Sequence, residues 1–542
     1  MSYCNPEYYL IILPLAIIIY GITPQKHRPK VLILMSYVFF WLLSQGLLVY
    51  LLVSTFSIHH FGLWLNNIKN ERDLALADAD KESKKEIKEQ FKKKEKRVLL
   101  LAILLHIGCL VVLKYTPFFL TNINSVLKAF DVDYRFIIPK LLIPIGISFY
   151  TLQAVSYMAD VHNEKIKADG NIGRLALFMS FFPQIMEGPI VRYSDTAERL
   201  WEGRPINYHN LTFGCQRIAW GLLKKIVVAD RLNAFIKEVF TNYSNYQGGI
   251  ILLAAIFYTI QLYCEFSGTM DVVIGSGEIF NVEYPENFKQ PFFSKSINEF
   301  WRRWHITLGT WFRDYIFYPV SLSKPMKKLT LWGRSKIGNH LGPLLAGAVA
   351  LFCVWICNGL WHGAAWTFIV FGMYHFIIIL IENIFEPYVV KLCEKIHINR
   401  QSKPYQLFQM IKASILIVFG ELIFRATDMK AATTMIGRIF TKFSFKGFNR
   451  SFFLTYNLSI RDLAILAITL IIILVISILK EKGVNIREKV AEKNIVLRWI
   501  IYYALIFYVL TFGAYGGEYI PIDPIYASFS GGSTYAKIWT YY

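Results

Sequence analysis

Charge is scarce in this sequence: only 18% of its 542 residues are Asp, Glu, Lys or Arg, where soluble domains carry about a quarter. That shortage argues against a soluble enzyme. Disorder is excluded as well, because a chain that is 55% hydrophobic, with 42 Phe and 32 Tyr, is too apolar to stay unfolded. Cysteine is sparse and unpatterned. The seven are Cys4, Cys109, Cys215, Cys264, Cys353, Cys357 and Cys393, with no CxxC; most lie in apolar runs and read as packing residues. Cys353 and Cys357 share a helical face, but two thiols without further ligands make a poor metal site. The chain has no G-x-S-x-G elbow, P-loop, dinucleotide fingerprint or H-E-x-x-H, which weakens readings as an ATP-driven transporter or a metalloprotease. The run after Met1 lacks a basic n-region and an A-x-A site, so the first apolar stretch is expected to be retained as a span.

What the chain does have is long apolar runs, with a mean hydropathy of +0.39. Crossing about 30 Å of hydrocarbon takes roughly 20 helical residues. The runs that qualify or come close are Tyr9–Tyr20, Val31–Thr55, Val98–Lys114, Leu141–Met158, Leu175–Ile185, Leu211–Val228, Ile250–Phe266, Leu344–Leu360, Ala364–Ile381, Leu407–Phe424, Leu463–Leu479 and Leu497–Phe512. The expected fold is therefore an all-α polytopic membrane protein of about eleven or twelve crossings. Several of these runs are short enough to be tilted or re-entrant. Val31–Thr55 is interrupted at Gln45-Gly46, which predicts a bend or two shorter helices.

Lys and Arg number 58 against 38 Asp and Glu, a net charge of +20. In a soluble protein that surplus would point to nucleic acid. Here the basic residues lie between apolar runs, as the positive-inside bias predicts, so no nucleic-acid partner is expected. The densest charge is Lys69–Arg97, which reads as a solvated helical excursion on the cytoplasmic side. No repeat or low-complexity linker divides the chain, and one membrane domain over 1–542 is the economical reading.

Ionisable groups inside apolar segments are costly, so each is a functional candidate. The stretch IGISFYTLQAVSYMAD (Ile145–Asp160) carries Gln153 in a span. FFPQIMEGPIVRY (Phe181–Tyr193) brings Gln184, Glu187 and Arg192 to a bend that Pro183, Gly188 and Pro189 enforce. Backbone broken at membrane depth is tolerated where it lines a cavity or is buried in protein. The longest block, Gln261–Val320, opens with Glu265, Ser267 and Asp271 in an apolar span and passes a Pro-Glu-Asn turn. It then reaches a segment where Trp301, Trp304, His305, Trp311 and Phe312 alternate with Arg302, Arg303 and Arg313. An amphipathic interfacial helix accounts for the tryptophans and arginines, but leaves His305 unexplained. In NGLWHGAAWTFIVFGMYH (Asn358–His375), His362 sits at a Gly-flanked break between apolar runs. A neutral imidazole there is able to take the proton of an incoming hydroxyl, as acyl transfer to an alcohol requires. A lone His in an apolar helix is more often a satisfied core residue, and that reading stays open beside the catalytic one, as it does for His375.

These segments together resemble the membrane-bound O-acyltransferases (MBOAT), most closely the bacterial branch of alginate O-acetylation, with teichoic acid D-alanyl transfer as a relative. Four stretches carry the resemblance: IGISFYTLQAVSYMADV, FFPQIMEGPIVRY, the block through ENFKQPFFSKSINEFWRRWHITLGTWFRDYIFYP, and NGLWHGAAWTFIVFGMYH, covering roughly Leu141–His375. The resemblance implies a helix bundle around a central funnel or tunnel, entered by an acyl thioester from the cytosol and a hydroxyl acceptor from outside. It divides the chain into N-terminal helices over 1–135 with a cytoplasmic excursion at 66–97, a catalytic core over 141–384, C-terminal helices over 400–515 and an extracytoplasmic aromatic tail over 516–542.

His362 of the WHG motif would be the catalytic base and His305 of WRRWH a second histidine on the donor side. Asn358, Trp361, Glu265, Ser267, Asp271, Gln153 and Glu187 would line the substrate path. Arg302, Arg303 and Arg313 would meet the phosphates of coenzyme A at the cytoplasmic mouth. The sequence departs from the family in CEFSGTMD, where Glu265 and Thr269 replace the usual Asp and Tyr, and at Glu187, where a small residue is usual. These changes sit near the implied cavity, so acyl and acceptor preference do not carry over from any one relative.

The expected activity is transfer of an acyl group, acetyl from acetyl-CoA first, toward an extracytoplasmic polysaccharide from the cell (plasma or inner) membrane. D-alanyl-type transfer to teichoic acid and a non-enzymatic transporter or flippase are the alternatives. No bound cofactor or metal is expected; acetyl-CoA or an acyl carrier protein supplies the donor. With no esterase-like soluble domain in the chain, a separate extracytoplasmic acyltransferase partner would complete transfer to the polymer. The stretch Pro524–Phe529 resembles a degraded form of the aromatic C-terminal motif of acyl-exporting members, which would make Tyr526 an acyl relay, with Tyr541 and Tyr542 as competitors; the other reading is an interfacial aromatic anchor.

Overall fold

In hydrocarbon a backbone has no water to bond, so a chain this apolar has to satisfy its own N–H and C=O groups within helices. The computed structural model describes residues 2–446, 453–454, 456 and 458–515. Among them regular structure is helical, with one isolated antiparallel bridge, Phe288 to Trp304, and no strand. The chain is an all-α polytopic membrane protein. Eight helical stretches among the described residues are long and apolar enough to span. Four of the twelve apolar runs are not among these: Tyr9–Tyr20 lies in the shorter stretch Glu7–Ile22, Leu141–Met158 and Leu175–Ile185 fold as the shorter helices Ile147–His162 and Ile172–Ser180, and Leu211–Val228 passes from Tyr208–Leu222 into a π-helical turn, Leu223–Ala229. Glycine, proline and polar residues flank Ile147–His162 and Ile172–Ser180, while Lys224 and Lys225 place charge within the Leu211–Val228 run.

The described residues form two compact units, one built from those up to Cys215 with Val273–Pro285 and the other from Gln216–Val272 with those from Glu286 onward. In the first unit, helices α1 (Leu13–Ile22), α2 (Arg28–Ser44), α3 (Leu48–Ala77) and α4 (Ser83–Ala129) follow in order. The interruption at Gln45-Gly46 does divide α2 from α3: Gln45 takes a positive φ of 46°, and a single 3-10 turn intervenes. Helices α3 and α4 form the charged excursion as a hairpin, and α4 then runs without a break into the apolar stretch from Val98. There Leu100, Leu101, Leu104 and Leu105 lie exposed on one side, as a lipid-facing stripe does.

Helix α5 (Ile147–His162) is buried from Phe149 through Val161 and carries Gln153. After α6 (Ile172–Ser180), the broken segment at Phe181–Tyr193 has its backbone groups taken up by side chains from elsewhere in the unit. Ser36 Oγ accepts the Phe182 N–H (3.0 Å), Tyr3 Oη donates to the Phe182 carbonyl (2.8 Å), and Tyr3 Oη accepts the Met186 N–H (3.0 Å). This is how non-helical chain persists in an apolar interior. Helix α7 (Tyr193–Glu202) follows, and α8 (Tyr208–Leu222) leads on to the second unit.

The second unit holds α9 (Asp230–Thr241), α10 (Gly248–Ile279, whose last residues belong to the first unit), α11 (Ile297–Arg303), α12 (Ile306–Phe312), α13 (Tyr318–Ser321), α14 (Lys324–His362), α15 (Trp366–Lys395), α16 (Lys403–Arg425), α17 (Met429–Thr441), α18 (Ile460–Glu481), α19 (Ile486–Ala491) and α20 (Ile495–Phe512). Helix α14 turns at Gly338, whose φ of +89° is open to glycine and strained for other residues. A π-helical turn at Leu223–Ala229 buries Lys224 and Lys225; such turns are frequent at functional sites.

Candidate active site

The Trp/Arg/His segment is not one amphipathic helix. It folds as two short helices, α11 and α12, broken at Trp304-His305. His305 caps α12 in the left-handed region, φ 47° and ψ 50°, a conformation that costs a non-glycine residue about 1–3 kcal/mol and persists where surrounding contacts hold it. Those contacts come from the Pro-Glu-Asn turn. Lys289 N–H donates to the Arg303 carbonyl (2.9 Å) and Ile306 N–H to the Asn287 carbonyl (3.1 Å).

Asn287 itself is fully buried. Its Oδ1 accepts the Thr307 backbone N–H (3.1 Å) and hydroxyl (2.9 Å), and lies 3.3 Å from His305 Nδ1. Because a backbone N–H donates to it, that atom is the amide oxygen. His305 Nδ1 must then carry the proton, which leaves Nε2 with the lone pair. Burial, and secondarily the nearby His362, hold the His305 imidazole well below its ordinary basicity and therefore neutral.

His362 ends α14, and the chain reverses at Gly363 before α15 begins. A Cβ at position 363 would lie 2.3 Å from the Phe368 ring, so glycine is required by space. Phe368 packs on Phe424 (4.9 Å between centroids), and Phe424 meets the His362 ring edge to face at 5.1 Å. Trp361 bridges the histidines, 5.5 Å from His305 and 5.1 Å from His362. Phe266 closes on His305 from α10 at 4.8 Å. The result is two buried imidazoles in an aromatic enclosure, and apolar walls of this kind strengthen the electrostatic interactions made within them.

The remaining sequence candidates divide by location. Asn358 lies one turn before His362 and is buried. Glu265 is 1% exposed on α10. Ser267 and Asp271 belong to an ionic network: Lys224 Nζ reaches Asp271 Oδ2 (2.5 Å) and Ser267 Oγ (2.9 Å), while Arg217 binds Asp271 (3.0 Å) and, through two nitrogens, Glu286. Of the arginines, Arg303 is held by Glu299 and by a bidentate pair with Glu481. Arg313 pairs with its neighbour Asp314, and Arg302 is exposed. Gln153 and Glu187 are buried in the first unit. Tyr526, Tyr541, Tyr542 and the tail at 516–542 lie outside the described residues.

Sequence reasoning passed over two residues here. Asn287 was read as part of a turn, and nothing local marks it as the anchor of His305. Glu421 had a signal: it interrupts the apolar run Leu407–Phe424, one turn before Phe424, and the residue is 2% exposed. His375 is fully buried against Trp301 (5.0 Å), Trp355 (5.4 Å) and Phe371 (4.7 Å). Neither of its ring nitrogens has a hydrogen-bond partner among the described residues.

The sequence over residues 10–333 matches the model of the membrane-bound O-acyltransferase family. A probable alginate O-acetylase AlgI of Azotobacter vinelandii is 30% identical over 442 residues, 81% of this chain and 78% of that protein. A peptidoglycan O-acetyltransferase of Helicobacter pylori is 32% identical over 303 residues, 51% of this chain and 53% of that protein. A teichoic acid D-alanyltransferase of Bacillus subtilis is 29% identical over 248 residues, 45% of this chain and 59% of that protein. With spanning helices, paired buried histidines and a family match over more than half its length, the chain belongs to the membrane-bound O-acyltransferases.

Proposed function

We propose that this enzyme transfers an acetyl group from a cytosolic thioester to a hydroxyl acceptor on the way to an extracytoplasmic polysaccharide, with His362 as the base. The reading is carried by one observation: His362 stands at the Gly363 reversal, in an aromatic enclosure shared with a neutral His305. His362 takes the acceptor's proton as its oxygen attacks the thioester carbonyl. The C–S bond breaks, and the proton passes to the departing sulfur, so no free proton is consumed or released. His305, with its Nδ1–H held by Asn287, keeps a fixed orientation beside the reacting carbon. Holding both reactants against one imidazole replaces a bimolecular encounter with a local step, an effect worth several kcal/mol.

The polysaccharide acceptor is drawn from the relatives' names, alginate O-acetylase above all. The cytosol-facing donor, acetyl-CoA or an acyl carrier protein, and residence in the cell membrane belong to the same proposal. So does a separate extracytoplasmic acyltransferase that finishes transfer to the polymer. The test uses membranes holding equal amounts of wild type or His362→Ala, supplied with acetyl-labelled acetyl-CoA. Wild type should release label from the thioester and His362→Ala should not. Equal consumption by both proteins would refute His362 as the base. D-alanyl transfer predicts label movement only from a D-alanyl carrier thioester, and a flippase predicts substrate movement in the variant.

A further inference from the structure

In the first unit, the turn that joins α1 to α2 and the end of α7 enclose a pocket of about 480 Å³ lined by Gln25, Lys26, Pro29, Lys30, Trp201 and Glu202. Hydrogen bonds between the two walls hold them in place. The Gln25 side-chain amide donates to the Glu202 carbonyl (3.1 Å), Arg28 Nη1 to the Gly203 carbonyl (3.0 Å) and Tyr20 Oη to the Arg204 carbonyl (2.7 Å). Most of the charge nearby is engaged: Arg28 also donates to the Thr23 carbonyl, and the Glu202 carboxylate pairs with Arg204. Lys26 and Lys30 differ. Both are exposed, and neither ammonium has an ion-pair or hydrogen-bond partner among the described residues; the indole N–H of the half-buried Trp201 has none there either. The pocket thus offers two unengaged cations and a further donor beside a single, already paired carboxylate, a set suited to the anionic oxygens of a phosphate.

What adjoins the pocket separates a lipid from a soluble anion. Along α2, Lys30, Leu34, Val38 and Leu42 follow at four-residue intervals with Trp41 on the same side, and every one of them is exposed. Helix neighbours four apart stand one above the other, so this row passes from a cation to bare hydrocarbon within one turn. Leu32, Ser36, Phe39 and Phe40 are buried, so the row lies on the face that α2 turns away from the protein, which in a membrane meets acyl chains. From Lys30 to Leu42 the row runs about 18 Å at 1.5 Å per residue, close to the depth of one leaflet of a hydrocarbon core about 30 Å thick. A phosphate ion would leave the row unused. A phospholipid with its head among Lys26, Lys30 and Trp201 would lay its tails along it, with the tryptophan at headgroup level, where interfacial tryptophans stand. The segment Pro24–Lys30 holds Lys26, Arg28 and Lys30 and no acid. The positive-inside bias assigns such an end to the cytosol, whose leaflet carries anionic lipid.

We propose that this pocket binds an anionic glycerophospholipid of the cytoplasmic leaflet, Lys26 and Lys30 meeting its phosphate, the Trp201 indole N–H its glycerol oxygens and the exposed row of α2 its acyl chains. None of these residues takes part in the acyl-transfer chemistry, so the site stands or falls apart from that reading. The full chain in nanodiscs of phosphatidylcholine is irradiated with a trace of photoactivatable phosphatidylglycerol, and the adducts are located by peptide mapping. In wild type they fall within Gln25–Leu42 or at Trp201; excess unlabelled phosphatidylglycerol competes, and excess soluble glycerol 3-phosphate does not. The pair Lys26→Gln and Lys30→Gln lowers the apparent affinity about 25-fold, at about fivefold for each cation near the membrane surface, while Lys26→Arg with Lys30→Arg retains it. Both positions are exposed, so the fold tolerates these changes. As a control for total charge, Lys84→Gln with Lys85→Gln in the charged excursion leaves the affinity unchanged. Adducts spread over the lipid-facing helices without preference for the pocket, a glutamine pair that binds as wild type does, or an equal loss in the excursion pair overturns the site. Displacement by glycerol 3-phosphate overturns the lipid assignment in favour of a soluble anion.

Discussion

Asn287→Leu tests whether the His305 tautomer matters. In the native chain one carbonyl oxygen, fully buried, serves His305 Nδ1–H, the Thr307 N–H and the Thr307 hydroxyl. Leucine is close to asparagine in size but accepts nothing, so both Thr307 donors, themselves 3% exposed, lose their acceptor. Each buried hydrogen bond lost is worth about 0.5–1.5 kcal/mol, which sets the loss of stability from these two at about 1–3 kcal/mol. His305 is also freed to put its proton on Nε2 and to leave its strained left-handed cap. Partners that fix the ring of a metal-ligating imidazole are worth about 10–100-fold in activity, and a loss of that order is expected here. Asn287→Asp keeps the acceptor oxygen and so separates the two effects: it should retain much more turnover than the leucine variant. The assays are thermal unfolding in detergent and release of label from acetyl-labelled donor. Turnover by Asn287→Leu within twofold of wild type, or aspartate no better than leucine, would refute the argument.

Other outcomes follow from the same geometry. Removing the base in His362→Gln should cut turnover by about 10²–10⁴ with normal insertion and donor binding, read by label release and direct donor titration. In Gly363→Ala the new Cβ meets the Phe368 ring at 2.3 Å; overpacking of this kind costs about 1–3 kcal/mol, seen as a lowered unfolding temperature, and turnover should drop because His362 adjoins the shift. Asp271→Asn leaves Lys224 and Arg217 short of a buried counter-charge, a loss of about 3–5 kcal/mol that high salt does not rescue, whereas a silent variant would show the network to be idle. His305 is held neutral by burial, so below about pH 6.5 the unfolded chain gains a proton that the folded chain refuses. Its contribution is fully present above that pH and is lost as pH falls through it, and His305→Gln should flatten the acid limb of the stability profile by up to about 1.4 kcal/mol per pH unit.

The membrane class and the family were legible before any fold was known, because both live in local sequence. Apolar run length is read directly against bilayer thickness, and the WRRWH and WHG segments keep their residue order whatever surrounds them. The break at Gln45-Gly46 was legible for the same reason. The number of spanning helices was less so, since helices such as Ile147–His162 end where glycine, proline and polar residues interrupt them, and run length alone does not register that. What only tertiary structure decided is which polar residues meet. Asn287 and His305 are eighteen positions apart, and neither advertises the other. The arginines of the WRRWH block looked free for a phosphate until Glu481, 178 residues on from Arg303, engaged one of them. Lys295, Asn383 and Gln409 are unremarkable singly and line one pocket only in the folded chain. Periodicity and composition report what one segment wants from its surroundings; the pairing of charges and hydrogen bonds depends on which segments arrive together, and that is set by packing across the whole unit.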